Sequence, residues 1–302
     1  MRKRTTTILS LCFLAACLFS LVGCGGGSQT SGPAFTAPAS VAEASLDRSS
    51  LEGSSSAGID TSGLSQGYVG ATAVNGSRLK FQVENNGVAQ NYDLPNDGSP
   101  LICPLSAGSG SYTFRIMQNT SGNRYVELFS TSASVSLESE FAPFLRPNVF
   151  CDYTADSASV KKAAELVSGA QNQGDALKAI YEYITDNIRY DSGKAGTLSN
   201  QSGYVPNPDA TLASGTGICF DYASLAAAML RSQGIPCKIV TGYVSPNDVY
   251  HAWNMVYIDG SWKSVSISIS GNSWQRIDTT FAANGASDTV GDGSSYTDRY
   301  TY

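Results

Sequence analysis

Apolar and polar residues alternate through much of the first half of the chain. Leu79, Phe81 and Val83 are separated by polar neighbours, as are Tyr112, Phe114 and Ile116, which is the two-residue period of a half-buried strand. Further strands fit residues 68–74, 90–94, 101–105, 124–131 and 133–137, with Asn75-Gly76, Asn86-Gly87 and Gly122-Asn123 as turn signals between runs. About seven short strands at this spacing predict a small all-β, sandwich-like domain over 58–140. A connector carrying Pro143 and Pro147 follows, and the period then changes. Residues 158–170 and 175–188 read as helices, the second with Ala176, Leu177, Ile180, Tyr183 and Ile184 on one face. A third helix, 220–233, places Phe220, Ala223, Leu225, Ala226, Met229 and Leu230 at helical spacing. Thr216 and Gly217 are its candidate N-caps and Gly234-Ile235-Pro236 its stop signal. β-Branched 238–244 and alternating 250–258 read as strands, the latter closed by an Asp259-Gly260 hairpin signal. Residues 192–214 read as a Gly/Ser/Asn loop, and 296–302 as an added edge strand. The predicted class is α+β.

The ends of the chain and its charge narrow the setting. Residues 1–23 combine basic Arg2, Lys3 and Arg4 with an apolar stretch from Ile8 to Leu21, the pattern of a signal peptide rather than a membrane span. The junction Leu21-Val22-Gly23-Cys24 resembles a bacterial lipobox. That resemblance implies cleavage before Cys24, acylation of its sulfur, and anchoring at the extracellular face of a bacterial cell membrane, since more than one acyl chain makes anchoring stable. Residues 24–57, rich in Ser, Gly, Ala and Pro, are expected to be a flexible tether. Loss of Arg2, Lys3 and Arg4 lowers Lys+Arg from 19 to 16 against 25 Asp+Glu, a formal charge of −9. Nucleic acid is excluded as a partner on this basis, because phosphate contacts need basic patches. The single histidine and the lack of Cys-x-x-Cys leave no zinc set. Asp288, Asp292 and Gly293 lack the EF-hand spacing. No metal or cofactor is expected. Cys103 and Cys151 are available for a disulfide in an oxidising compartment, and Cys237 reads as core.

Candidate chemistry gathers late in the chain. Cys219 falls in the first turn of the third helix, where free N–H groups and the positive dipole end favour a thiolate. A free cysteine is most commonly a small buried hydrophobe, so its partners decide the matter. His251 is the only histidine in the sequence. It falls on a predicted strand, which can hold an imidazole rigidly beside a helix terminus, as a nucleophile–base pair requires. Asp278 and Asp259 could each orient that base. Turns use Asp for local hydrogen bonds, which favours Asp278.

The order Gly217-Ile218-Cys219, Asp221-Tyr222-Ala223, Met229-Leu230-Arg231, Gly234-Ile235-Pro236, Gly242-Tyr243, His251-Ala252-Trp253-Asn254 resembles a bacterial transglutaminase-like domain. The resemblance spans roughly residues 175–281. It implies a papain-like core within 141–302 and a Cys-His-Asp triad of Cys219, His251 and an aspartate. The family's Trp-x-x-Val-Asp pattern first appears as Trp262-Lys263-Ser264-Val265-Ser266, without the carboxylate, and again as Trp274-Gln275-Arg276-Ile277-Asp278. Asp278 is therefore the matching acid, after an inserted Ser/Ile alternation. Crosslinking members use a tryptophan upstream of the cysteine, whereas Trp253, Trp262 and Trp274 all lie downstream. Tyr204 or Gln201 would then supplement the Cys219 N–H as oxyanion donor. The implied function is thiol attack on peptide or protein amides, cell-wall peptide included, with hydrolysis favoured over crosslinking. The competing reading is a non-enzymatic surface-binding or adhesion lipoprotein with a degenerate papain-like core.

Overall fold

The computed structural model describes residues 32–198, 201–244, 249–258, 260–264 and 296–302. The expected signal segment, Cys24, Asp259 and the second Trp-x-x-Ile-Asp motif with Asp278 lie outside the described residues.

The predicted sandwich forms. One antiparallel sheet joins β1 (Leu51–Ser54), β2 (Ala57–Asp60), β3 (Tyr68–Ala73) and β6 (Leu101–Pro104) in that order. The second joins β5 (Val88–Leu94), β4 (Leu79–Asn85), β7 (Gly110–Ser121) and β8 (Arg124–Val135). Along β4 every second residue is buried, as the alternation of Leu79, Phe81 and Val83 requires. Ile59, Val69 and Ala71 of the first sheet meet Phe81, Val83, Phe114 and Ile116 of the second in one core. Each large side chain buried there contributes about 1.5–3 kcal/mol.

Three features go beyond the sequence reading. Residues 124–131 and 133–137 are not separate strands. They form the single strand β8 up to Val135, which pairs with β7 without a break at Ser132. Within the expected tether, residues 32–56 touch the folded part at several points while most of them stay exposed. Ala34 bridges Asn172, Phe35 and Val41 pack on the helical core, and β1 with the start of β2 is hydrogen-bonded into the sandwich. Cys103 and Cys151 are free thiols, buried respectively in the sandwich core and the helical core.

The second half is built around one helix. α1 (Ala158–Leu166), α2 (Gln173–Asn187) and α4 (Pro208–Ser214) pack against α5 (Cys219–Ser232). The sheet β13 (Ser261–Ser264), β12 (Val249–Ile258), β11 (Cys237–Val244), β14 (Tyr296–Thr301) supplies the remaining wall. Every residue of α5 from Asp221 to Ser232 is buried; only Cys219 and Phe220 are not. A helix buried on all sides is a core element, and the small side chains of Ala226, Ala227 and Ala228 leave room for its neighbours. Within the expected loop 192–214 stand two short helices, α3 (Ser192–Leu198) and α4. Asn207 caps α4 by accepting the Ala210 N–H at 2.8 Å, Pro208 sits at its first position, and Gly215 ends it at φ +64°. The 296–302 edge strand is found as β14, paired antiparallel with β11.

Arg231, 1 % exposed, ties the far end of α5 to three segments. Its guanidinium donates to the carbonyls of Cys237 (2.8 Å), Arg146 (2.8 Å) and Tyr302 (2.9 Å). It thereby joins the start of β11, the connector from the sandwich and the end of β14. Hydrogen bonds from a charged donor contribute about 1.5–3 kcal/mol each, and orphaned buried carbonyls add a cost. Arg231→Ala is expected to lower the unfolding free energy by about 4 kcal/mol in urea denaturation, and Lys, with a point charge in place of a planar fork, should not restore it. A loss below about 1 kcal/mol would mean that the three carbonyls find other partners.

Candidate active site

The direction of each element around α5 places the candidate groups. After Ser232 the chain turns back at Gly234 (φ +75°), with the Ile235 N–H on the Leu230 carbonyl at 3.0 Å. β11 therefore runs back along α5, and antiparallel β12 runs with it. Contacts at both ends agree. At the late end, Ile258 of β12 and Gly174 at the start of α2 flank Gly32. At the early end, the Tyr222 hydroxyl of α5 donates to the Ile188 carbonyl, just past α2, at 2.6 Å. Between them, the Asn254 amide of β12 donates to the Ala223 carbonyl of α5 at 2.9 Å.

From that bond, Cys219 lies four residues back along the helix, about 6 Å. His251 lies three residues back along the strand, about 10 Å. The two steps run in the same direction, so the structure puts Cys219 and His251 at the same end of the α5–sheet layer. Cys219 is half-buried at the helix tip, while His251 is 7 % exposed and in register with Gly242. Along β12, Ala252, Val256 and Ile258 join the α5 core, and Trp253 joins Val240 and Tyr296 in a cluster on the other face. By alternation His251 shares the Trp253 face.

The tip of α5 is held by one buried carboxylate. Asp221, fully buried, accepts the Ile218 N–H at 2.8 Å, satisfying a donor of the first turn. It also accepts the Lys194 ammonium at 2.7 Å and the Tyr204 hydroxyl. Lys194 in turn lies 4.7 Å over the Tyr204 ring. Burial pulls the Lys194 pKa down, but its hydrogen bonds to Asp221 and Tyr204 outweigh this and hold it above the usual lysine value. Burial, then the bond to Asp221, push the Tyr204 hydroxyl up. Close approach explains Gly217: a Cβ there would stand 2.6 Å from the Asp221 Cβ. A short parallel pair, β9 (Arg189–Tyr190) with β10 (Thr216–Gly217), fixes the strand leading into the helix.

The hydroxyl of Tyr204, one of the two expected oxyanion donors, donates to the Asp221 carboxylate and ties its loop to the helix tip. Gln201 is exposed, with its backbone N–H on the Leu198 carbonyl at 2.9 Å. Asp221 and Lys194 were not singled out as site residues. The signal available for Asp221 was its place two residues after Cys219 in a first turn, where an acid complements the helix dipole. Lys194 carried none. Among the described residues no group of His, Cys, Asp and Glu could hold a metal ion.

Two outcomes follow from this geometry. Burial raises the Cys151 and Cys237 thiols to about 12, and Cys103 is likewise pushed well up. At pH 8 a thiol with a pKa of 12 is ionised to about one part in ten thousand. Iodoacetamide mapping of the native protein should therefore find Cys219 alkylated and Cys103, Cys151 and Cys237 protected until unfolding; protection of Cys219 would contradict its half-buried position. Tyr204→Phe removes one hydrogen bond to a buried carboxylate and should cost about 1.5 kcal/mol of stability, with faster proteolysis of the 192–207 segment. Unchanged stability and proteolysis would show that this bond does not hold the loop.

A family model described as the transglutaminase-like superfamily matches residues 160–279. Human kyphoscoliosis peptidase is 29 % identical over 122 residues, covering 37 % of this chain and 18 % of the human protein. The mouse protein of the same name is 28 % identical over 129 residues, covering 38 % and 19 %. The chain thus spans less than a fifth of the length of these relatives. Among solved structures, a protein from Cytophaga hutchinsonii provisionally assigned as a cysteine protease aligns over 78 % of this chain and 79 % of its own, at 18 % identity and a TM-score of 0.40. A structure described as a TGase aligns over 57 % and 48 %, at 19 % identity and a TM-score of 0.32. The match to the transglutaminase-like superfamily model covers the segment that carries Cys219 and His251.

Proposed function

We propose that the protein is a thiol hydrolase acting on peptide amide bonds, with Cys219 as nucleophile, His251 as base and acid, and Asp278 as the group that orients His251. The observation that supports this most is that the sequence's only histidine and the half-buried cysteine that opens an otherwise buried helix stand at the same end of the α5–sheet layer.

In the reaction, the Cys219 proton passes to His251 and the sulfur attacks the amide carbonyl carbon. The C–N bond then breaks, the imidazolium gives its proton to the departing amine, and a thioester remains on Cys219. Water, deprotonated by the same imidazole, attacks the thioester; the C–S bond breaks and the thiol regains its proton. The first-turn N–H groups of α5 are suited to hold the oxyanion. With no tryptophan upstream of Cys219 to serve as in crosslinking enzymes, water is the favoured acceptor. Acylation of Cys24 would hold the enzyme at the extracellular face of a bacterial membrane, where peptide substrates, cell-wall peptide among them, are within reach.

Cys219→Ala should abolish cleavage of a peptide library read by mass spectrometry, with the circular dichroism spectrum unchanged. Asp278→Asn should lower kcat by about 10⁴ through the wrong imidazole tautomer, and Ser266→Ala should leave it unaltered. Amine adducts in place of new termini would convert the reading to transamidation. Neither product from the wild-type chain would support the non-enzymatic binding protein.

A further inference from the structure

The sheet that walls α5 extends past the tip of the helix. From the Asn254–Ala223 bond, Tyr250 lies four strand residues back, about 13 Å, against about 6 Å for Cys219 along the helix. The sheet therefore overhangs the thiol by about 7 Å, the reach of two residues of extended peptide. By alternation along β11 and β12, Thr241, Tyr243, Tyr250 and Ala252 share the face that covers α5. Tyr300 of β14, in register with Thr241, lies on the same face. A run of rings connects this overhang with the helix tip. Phe220 of α5 meets Phe150 at 5.2 Å, Phe150 meets Tyr302 at 4.5 Å, and Tyr302 meets Tyr300 at 6.3 Å between centroids.

The overhang carries exposed aromatic surface and one cation held in place. Tyr243 and Tyr250 are cross-strand partners with rings edge to face at 5.4 Å, yet they stay 37 % and 48 % exposed. Their hydroxyls are engaged: Tyr250 donates to Thr241 Oγ1 at 2.8 Å, and Tyr243 accepts from Arg299 at 3.1 Å. The Arg299 guanidinium also stands 5.1 Å from the centre of the Tyr300 ring, within cation–π range. Among the described residues no carboxylate pairs with Arg299; the groups that act on its charge are Tyr300, Tyr243 and Tyr250. A register shift puts the neighbouring Asp298 opposite Gly242, on the other face, where its charge favours that of Lys238. A guanidinium held between two tyrosines keeps part of its planar fork for a ligand, and a carboxylate is the group that fork matches. Fixing it beforehand lowers the ordering cost of binding.

We propose that this overhang is a substrate subsite that reads a carboxylate. The substrate peptide lies across Tyr243 and Tyr250 and places an acidic group on Arg299, within about two residues of the amide at Cys219. A chain of formal charge −6 repels acidic peptides in general, so a cation without an acidic partner beside the thiol supplies a local attraction. An acidic side chain and a free C-terminus offer Arg299 the same group. The assignment deepens the peptide-amide reading and rests on it for the ligand being a peptide.

The test uses the full chain carrying Cys219→Ala, so that binding is read without turnover. It is equilibrated with mixed short peptides blocked at both ends, each bearing one glutamate or, in its paired counterpart, glutamine. A third set carries the glutamine with an unblocked C-terminus, which separates a terminal carboxylate from a side-chain one. Retained peptides are counted by mass spectrometry. One of the two carboxylate sets should be enriched about tenfold over the amide set. Arg299→Gln, at an exposed position, should abolish that enrichment with an unchanged melting temperature, and Tyr250→Ala should weaken retention of every set. Retention of no peptide, equal retention of carboxylate and amide peptides, or an enrichment that survives Arg299→Gln would overturn the subsite. The two readings separate in the Cys219-containing chain. Cleavage indifferent to the carboxylate removes the subsite and leaves the hydrolase. Acidic peptides held through Arg299 yet never cleaved remove the hydrolase and leave the subsite.

Discussion

A helix buried along nearly its whole length can reach the surface only where its own polar ends are satisfied, and that constraint organises this molecule. α5 carries a fully buried carboxylate in its first turn and a buried guanidinium in its last. Both signs agree with the helix dipole. Neither charge is spent within the helix. Asp221 gathers Ile218, Lys194 and Tyr204, and Arg231 gathers Cys237, Arg146 and Tyr302. The same two residues that make burial of the helix tolerable therefore also tie down the loops wrapped around it. A buried charge is costly unless it is fully paired, so each of these segments is held to one position.

This arrangement bears on chemistry through what it leaves exposed. Phe220 packs against Phe150 with ring centroids 5.2 Å apart, and from Asp221 onward the helix is sealed. Cys219 is consequently the residue at which the core meets solvent. The β11–β12 hairpin, running back and then forward along α5, returns the chain to that same end at His251. Position in the topology, more than local sequence, brings the thiol and the imidazole to one edge of the layer.

Much of this was legible before any coordinates. The two-residue alternation in β4 and β7, the helical spacing of α5, and the Gly234-Ile235-Pro236 stop all reflect local burial patterns that survive folding. What failed to show has identifiable causes. β1 and β2 lie in Ser- and Gly-rich sequence whose composition resembles a tether, and they gain their place by pairing rather than by propensity. α3, with two glycines in seven residues, begins where the Asp191 carboxylate accepts the Lys194 N–H at 2.8 Å, and Lys194 then fixes it to Asp221. α1 is capped from another helix: Asp209 of α4 accepts the Ala158 and Ser159 N–H groups, each at 2.9 Å. No window along the chain contains such a contact. α4 was the avoidable miss, since Asn207-Pro208-Asp209 and Gly215 form a complete set of start and stop signals. The bond from Tyr204 to Asp221 joins residues 17 apart, beyond any local pattern.

The central claim is that a peptide carbonyl becomes bonded to the sulfur at the tip of α5 with His251 moving the proton. Rapid acid quenching of the wild-type chain during turnover, followed by mass mapping of the fragment containing Cys219, reads that bond directly. The account predicts an added acyl mass on Cys219, removable by hydroxylamine and absent from His251→Ala. Peptide cleavage with Cys219 unmodified, or an acyl group carried by any other residue, would contradict it.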